Sequence, residues 1–313
     1  MNQYLSFFLL SPLFIFAQSY NGPESVEFNP INGNYFVSNA SQGSIVEWDG
    51  TSLTNFANNI SAGPHGLELV GEILYACSGG SLKAYDLISG NQILNKSLGG
   101  TFLNGITHRG TDLYITDFSS KRLYKYDIEN QDSLYEAPIF CTFPKRPNGV
   151  YYDVINDRLL VVCWGSNAPI YEVNIFTGEI LVATTTSLGN LDGISMDICG
   201  NIFVSAWSTN AIHMFNIDLS SSQLVASGLN SPADIFYNQE NHILAIPNSG
   251  NNTVDFLEVN FCDNLTLSEQ SNVVKRKKTI DVMGRSLPFD ASGLRLDVYE
   301  DGTVVKTFTP FEN

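Results

Sequence analysis

The chain has 313 residues, 43% of them apolar, 12% aromatic and 15% charged, with a formal net charge of −16. That length suits one large domain and a small one, and the acidic balance excludes non-specific nucleic-acid binding. Short apolar runs broken by Gly, Asn, Ser and Thr, with 20 Phe and 14 Tyr, point to an all-β protein.

The chain opens on an apolar run, LSFFLLSPLFIFAQS, that ends in small residues and is too short to span a membrane. Residues 1–18 read as a signal peptide, although no Lys or Arg precedes the run. No later segment is long and apolar enough for a transmembrane helix, so the mature chain is expected to have none.

A repeat follows. PESVEFNPINGNYFVSN, PHGLELVGEILYACS, LNGITHRGTDLYITD, PNGVYYDVINDRLLVVCW, LDGISMDICGNIFVSAW and PADIFYNQENHILAIPN begin at Pro23, Pro64, Leu103, Pro147, Leu191 and Pro232, spaced by 39 to 44 residues. Each copy reads strand, tight turn, strand, loop, strand, with a looser fourth strand such as residues 178–186. Six copies at this period are the signature of a six-bladed β-propeller, which the sequence places at residues 19–261. One blade cannot bury both faces; six in a circle can, and closure removes most sheet edges.

In such a ring the first strands line the central tunnel. The residue after each opening Pro or Leu then falls at one mouth: Glu24, His65, Asn104, Asn148, Asp192 and Ala233. Each Asn or Asp could instead close a local backbone turn. As a set they put two carboxylates near one axis, whose repulsion at roughly 6 Å and an effective dielectric of about 20 is of order 3 kcal/mol. A cation would relieve it. Glu24, Asp192 and the amide oxygens of Asn104 and Asn148 make a hard, all-oxygen donor set that suits Ca²⁺ better than Zn²⁺, with another divalent metal as an alternative.

These residues resemble the six-bladed calcium-dependent hydrolase group of gluconolactonase/senescence-marker proteins, paraoxonases and diisopropyl-fluorophosphatase. The resemblance covers about residues 20–260 and implies a Glu, Asn, Asn, Asp set around a catalytic calcium, matched by Glu24, Asn104, Asn148 and Asp192. PNG at 147–149 and LDGISMD with GNIFVSAW are similar to the gluconolactonase-like pattern. PHG at 64–66 is similar to a paraoxonase segment that carries an active-site His, and GPES at 22–25 to strictosidine-synthase-like propellers. Three positions depart: the first Glu follows Pro23 rather than preceding it, Phe102 and Leu103 stand where gluconolactonase-like members carry an Arg, and Gly193 replaces an Asn of paraoxonases.

Of the four His, only His65 reaches this mouth; His108 and His242 lie in turns on the opposite face and His213 within a third strand. His65 is expected to act as a base, since its free pKa sits near working pH. The loops on the ring's face carry Asn39, Asp117, Phe118, Trp164, Asn167 and Trp207. Asp117, Phe118, Trp164 and Trp207 are expected to form the substrate pocket, an aromatic rim suited to an apolar or flat ligand. No GxSxG elbow, HExxH, phosphate loop or dinucleotide fingerprint occurs. The five Cys have no CxxC spacing and read mostly as buried small hydrophobes without a disulfide framework.

After a linker at 262–274, residues 275–313 hold seven of the sixteen Lys and Arg and open on Lys275-Arg276-Lys277-Lys278. DVMGR, a Gly-Leu before an alternating run, and EDGTVVK resemble the C-terminal sorting domain of the type IX secretion system. Two or three strands with a turn at Asp301-Gly302 are expected. With the signal peptide, this resemblance implies a protein that is secreted or held at the cell surface, with the type IX machinery as a partner.

The leading expectation is therefore a secreted, monomeric, calcium-dependent lactonase- or esterase-like hydrolase acting on a small-molecule ester or lactone. Asp192 and His65 would be its catalytic residues. The alternative is a non-catalytic propeller that binds a glycan or protein and holds a structural ion.

Overall fold

The structure is a computed structural model, and residues 19–129, 139–262, 276–280, 285–288, 293–299 and 304–309 are described. The signal-peptide segment, nearly all of the linker and the Asp301-Gly302 turn lie outside the described residues. Among the described residues the chain is all-β, and no helix is long and apolar enough to cross a membrane. Chain contacts divide it into two compact units, the first ending at Asn260 and the second beginning at Phe261.

The first unit is a six-bladed propeller. Blade one is β1 (Pro23–Asn29), β2 (Asn34–Asn39), β3 (Ser44–Trp48) and β4 (Leu53–Ala57), antiparallel in that order. Blade two is β5 (Leu67–Val70), β6 (Ile73–Ser78), β7 (Ser81–Asp86) and β8 (Gln92–Ser97). Blade three is β9 (Leu103–Arg109), β10 (Asp112–Asp117), β11 (Arg122–Asp127) and β12 (Ile139–Thr142). Blade four is β13 (Arg146–Asp153), β14 (Arg158–Trp164), β15 (Pro169–Asn174) and β16 (Ile180–Thr185). Blade five is β17 (Leu191–Met196), β18 (Ile202–Ala206), β19 (Ala211–Phe215) and β20 (Ser222–Ser227). Blade six shows three strands among the described residues, β21 (Phe236–Asn238), β22 (Ile243–Asn248) and β23 (Thr253–Glu258).

Burial follows strand order. The second strands are sandwiched between neighbouring blades, so β18 is buried at every position, while every residue of the outer β20 is half-buried or exposed. This is why the second strands read as continuous apolar runs and the fourth strands as weak ones. The cores lie between blades. Leu74, Ala76 and Tyr85 of blade two pack on Phe36 and Ile45 of blade one, and Leu160 and Val162 of blade four pack on Ile194 and Val204 of blade five. The circle closes where Val26, Val37 and Val46 of blade one meet Ala245 of blade six, with Tyr35 and Phe256 rings 4.9 Å apart.

The short turns are held by side chains that bond backbone N–H groups two or three residues on. Asp49, Asp153 and Asp197 each do this, as Asx-type turns require.

At the axis the inner strands touch directly. Gly66 N–H donates to Asn104 O at 2.9 Å, and Asp234 N–H donates to Glu24 O at 2.8 Å. A Cβ at Gly66 would lie 2.1 Å from Asn104 O, and one at Gly105 or Gly149 would lie 2.5 Å from the carbonyl oxygen of Asn148 or Asp192. Glycine is thus what lets neighbouring inner strands approach. Blades one and six carry Ser25 and Asp234 at the equivalent position, and Ser25 Oγ donates to Asp234 Oδ2 at 2.8 Å.

In the second unit β24 (Arg276–Ile280), β25 (Ser286–Leu287), β26 (Gly293–Tyr299) and β27 (Val304–Thr309) form one antiparallel sheet in the order β25-β24-β26-β27, one strand more than expected. Cys77, Cys141 and Cys163 are free. Cys199 and Cys262 are disulfide-bonded, so the expectation of mostly buried, unbridged thiols holds for the other three only in part, Cys141 being half-buried.

Candidate functional site

The ring residues occupy a break in strand pairing. In blades one, three, four and five the register between first and second strands shifts just where Glu24, Asn104, Asn148 and Asp192 stand. Such bulges turn a side chain away from its regular direction and recur beside functional sites. The turn-forming alternative for these residues does not hold: unlike Asp49 or Asp153, neither Asn104 nor Asp192 bonds the backbone two or three residues on. Asn104 Nδ2 donates instead to Asn148 Oδ1 at 2.5 Å, and Asn148 Nδ2 to Leu191 O at 3.3 Å.

The set is buried, with Glu24 9%, Asn104 4%, Asn148 2% and Asp192 3% exposed. Burial, then the charges of Glu24 and Asp234, hold Asp192 well above the usual carboxylate range; Asn148 and the Trp207 indole act weakly the other way. Burial and the charge of Asp234 raise Glu24 to about 8. Asp192 Oδ1, His65 Nδ1 and Trp207 Nε1 are buried without a hydrogen bond of good geometry, the Trp207 indole lying toward the Asp192 carboxylate. Burial lowers His65 to about 4, so its ring is neutral at physiological pH.

An orphaned carboxylate oxygen beside a second carboxylate and two amides is a donor set that fits a hard divalent cation. Asn104 Oδ1 is the freer of the two amide oxygens, because Asn148 Oδ1 already accepts from Asn104.

Above the ring runs an arc of aromatic rings. His65 packs edge-on against Phe102 at 4.6 Å, Phe102 against Phe118 at 5.6 Å, Phe118 against Trp164 at 5.9 Å and Trp164 against Trp207 at 5.1 Å. The Arg146 guanidinium lies 5.4 Å from the Phe118 ring. The arc spans blades two to five and brings together His65, Phe118, Trp164 and Trp207.

Asp117 does not join them. It is fully buried, and its carboxylate accepts from the N–H groups of Thr101, Phe102, Ser119 and Ser120. Burial acts to raise its pKa, but these bonds outweigh it and the pKa is lowered. Asp117 therefore shapes the loops that present Phe102 and Phe118 and does not face a ligand. Asn39 stands at the same strand end in blade one and likewise accepts the Asn21 N–H at 3.0 Å.

The expectations missed Phe102, Arg146 and Asp234. Asp234 is raised to about 7 by burial and by Glu68, and its charge reaches both Glu24 and Asp192. The signal was present: four copies carry Gly after the ring residue, and Ser25 and Asp234 are the two departures.

No family model matches the chain, and no curated protein matches it. Solved structures are similar in fold. A gluconolactonase from Xanthomonas campestris aligns with TM-score 0.62 at 14% identity over 74% of this chain and 84% of its own. A structural genomics protein of unknown function from Bacteroides thetaiotaomicron aligns with TM-score 0.60 at 14% identity over 75% and 69%. A chain of a nidogen/laminin complex aligns with TM-score 0.54 at 16% identity over 64% and 78%.

Proposed function

We propose that the chain is a secreted, divalent-metal-dependent hydrolase of lactone or ester type, with calcium as the ion and the ring mouth as its site. The observation that carries this reading is the buried, unpartnered Asp192 Oδ1 beside Glu24, in one ring with the Asn104–Asn148 pair. Glu24, Asn104, Asn148 and Asp192 would hold the ion. A bound divalent cation supplies polarisation of an ester carbonyl and stabilises charge that develops on its oxygen.

The chain's own residues do the rest. Neutral His65 offers a ring nitrogen as acceptor to water or a ligand hydroxyl at the mouth. The Trp207 indole lies beside the Asp192 carboxylate and favours its charged form. Phe118, Trp164 and Trp207 form a wall against which a flat or apolar group packs and from which water is excluded. The fold likeness to a gluconolactonase supports the lactone class. Export through the signal-peptide segment and the type IX-like tail, with a monomer outside the cell, completes the proposal.

The test is turnover of a panel of lactones and aryl esters with calcium, with excess EDTA, and for Asp192→Ala and His65→Ala. Turnover that falls at least 100-fold with EDTA and with Asp192→Ala supports the reading; unchanged turnover in EDTA sinks it. The binding-module alternative is favoured by Phe102 standing where gluconolactonase-like members have an Arg. It predicts a calcium effect on stability with no turnover on any substrate of the panel.

A further inference from the structure

A cavity of about 360 Å³ opens at the far end of the tunnel, on the face away from the ring. Its walls include Val26, Leu67, Ile106, Val150 and Ile194, the inward residues of five inner strands. Three carboxylates, Glu27, Glu68 and Asp234, line the same space. Glu27 is 9% exposed and meets one protein donor, the backbone N–H of Leu69. No side chain among the described residues hydrogen-bonds or ion-pairs with it, so its remaining lone pairs open on the cavity. Burial, and then repulsion from Glu68 and Asp234, holds Glu27 well above the usual carboxylate range.

The positive groups nearby do not answer it. His108 Nδ1 is bonded to Glu68. Arg109 lines the cavity, but Asp157 takes its guanidinium at 2.8 and 3.1 Å, and that guanidinium lies 5.2 Å from the Phe176 ring. The space therefore combines a desolvated carboxyl group that no neighbouring cation answers with apolar walls.

We propose that this cavity binds an organic ammonium ion, with its charged head against Glu27 and its carbon chain along Val26, Ile106 and Val150. An anion meets three carboxyl groups and gains nothing from the Arg109 guanidinium, which Asp157 already takes. A neutral apolar ligand would leave Glu27 buried and unpaired. A bare divalent ion wants six or more oxygens at about 2.3–2.6 Å and gains nothing from apolar walls. The volume equals about twelve waters of liquid, room for an alkylammonium of moderate length. The proposal does not depend on the reading of the ring mouth.

The test is titration calorimetry of the full chain with n-hexylammonium chloride, with n-hexanol and CaCl₂ as comparisons at equal ionic strength. The same titrations are run on Glu27→Gln and Val154→Arg. Val154 lines the cavity and is 70% exposed, so Arg there blocks and repels without disturbing a core. The expected result is one ammonium site, hexanol at least tenfold weaker, and at least tenfold lower affinity in both variants. If Glu27→Gln fails to fold, Val154→Arg decides. Four outcomes overturn the proposal: no binding, hexanol binding as well as the ammonium, affinity unchanged in a folded variant, or displacement of the ammonium by equimolar Ca²⁺.

Discussion

Ser25 Oγ donates to Asp234 Oδ2 at 2.8 Å, and it also stands 3.2 Å from the N–H of Leu67, from which it accepts. One hydroxyl thus ties blade six, blade one and blade two at the axis. Ser25→Ala removes a donor from a buried carboxylate and an acceptor from a buried N–H. The expected loss is about 2–3 kcal/mol, read as a lower urea midpoint at unchanged slope.

Gly66→Ala and Gly71→Ala separate close approach from backbone strain. At Gly66 a Cβ meets Asn104 O at 2.1 Å, so the inner strands must part and the Gly66–Asn104 bond stretches. At Gly71, φ is +61° and nothing lies within 4 Å. Gly71→Ala is expected to cost about 1 kcal/mol for its left-handed backbone, and Gly66→Ala about 2–3 kcal/mol or more from forced overpacking. Thermal unfolding of both variants checks the order.

Asp117→Ala leaves the N–H groups of Thr101, Phe102, Ser119 and Ser120 without their acceptor. Loss of about 2–4 kcal/mol is expected. Trp164→Ala, at the half-buried rim, should cost less stability while weakening any ligand at the ring mouth. A Trp164→Ala variant less stable than Asp117→Ala would contradict the division of roles.

In the absence of metal, stability should fall as pH rises from 6.5 to 8.5. Burial raises Glu24 to about 8 and Asp234 to about 7, above their unfolded values near 4. The folded state therefore holds protons that the unfolded state has released, and stability is lost as pH climbs through the folded pKa values. His108, raised by its bond to Glu68, acts in the same direction. His65 is lowered and acts oppositely, but only below its unfolded value of about 6.5. Each retained proton contributes a slope of at most about 1.4 kcal/mol per pH unit. Glu24→Gln should flatten the melting temperature against pH in EDTA.

The blades were legible because circular closure makes each copy solve one packing problem, so the second strands from Phe36 to Ala245 all read as apolar runs. The ring was legible for the same reason, through the fixed step after Pro or Leu. Asp234 escaped because that step selects Ala233, and Asp117 was misassigned because a carboxylate at a loop start looks the same whether it faces a ligand or four backbone N–H groups. The Glu27 cavity was not legible: its carboxylates stand at unremarkable places on strands far apart in sequence and converge only when the circle closes. That two of the five Cys are disulfide-bonded could not be read from spacing at all.

The central claim is that Asp192 and its neighbours hold a divalent cation, and the most direct test is the melting temperature of the protein in excess EDTA and in added Ca²⁺, beside Asp192→Ala. Binding to the native state alone adds about 2.7 kcal/mol at a hundredfold excess over Kd. The account predicts a clear upward shift in the wild type that Asp192→Ala abolishes. No shift, or an equal shift in Asp192→Ala, would contradict it.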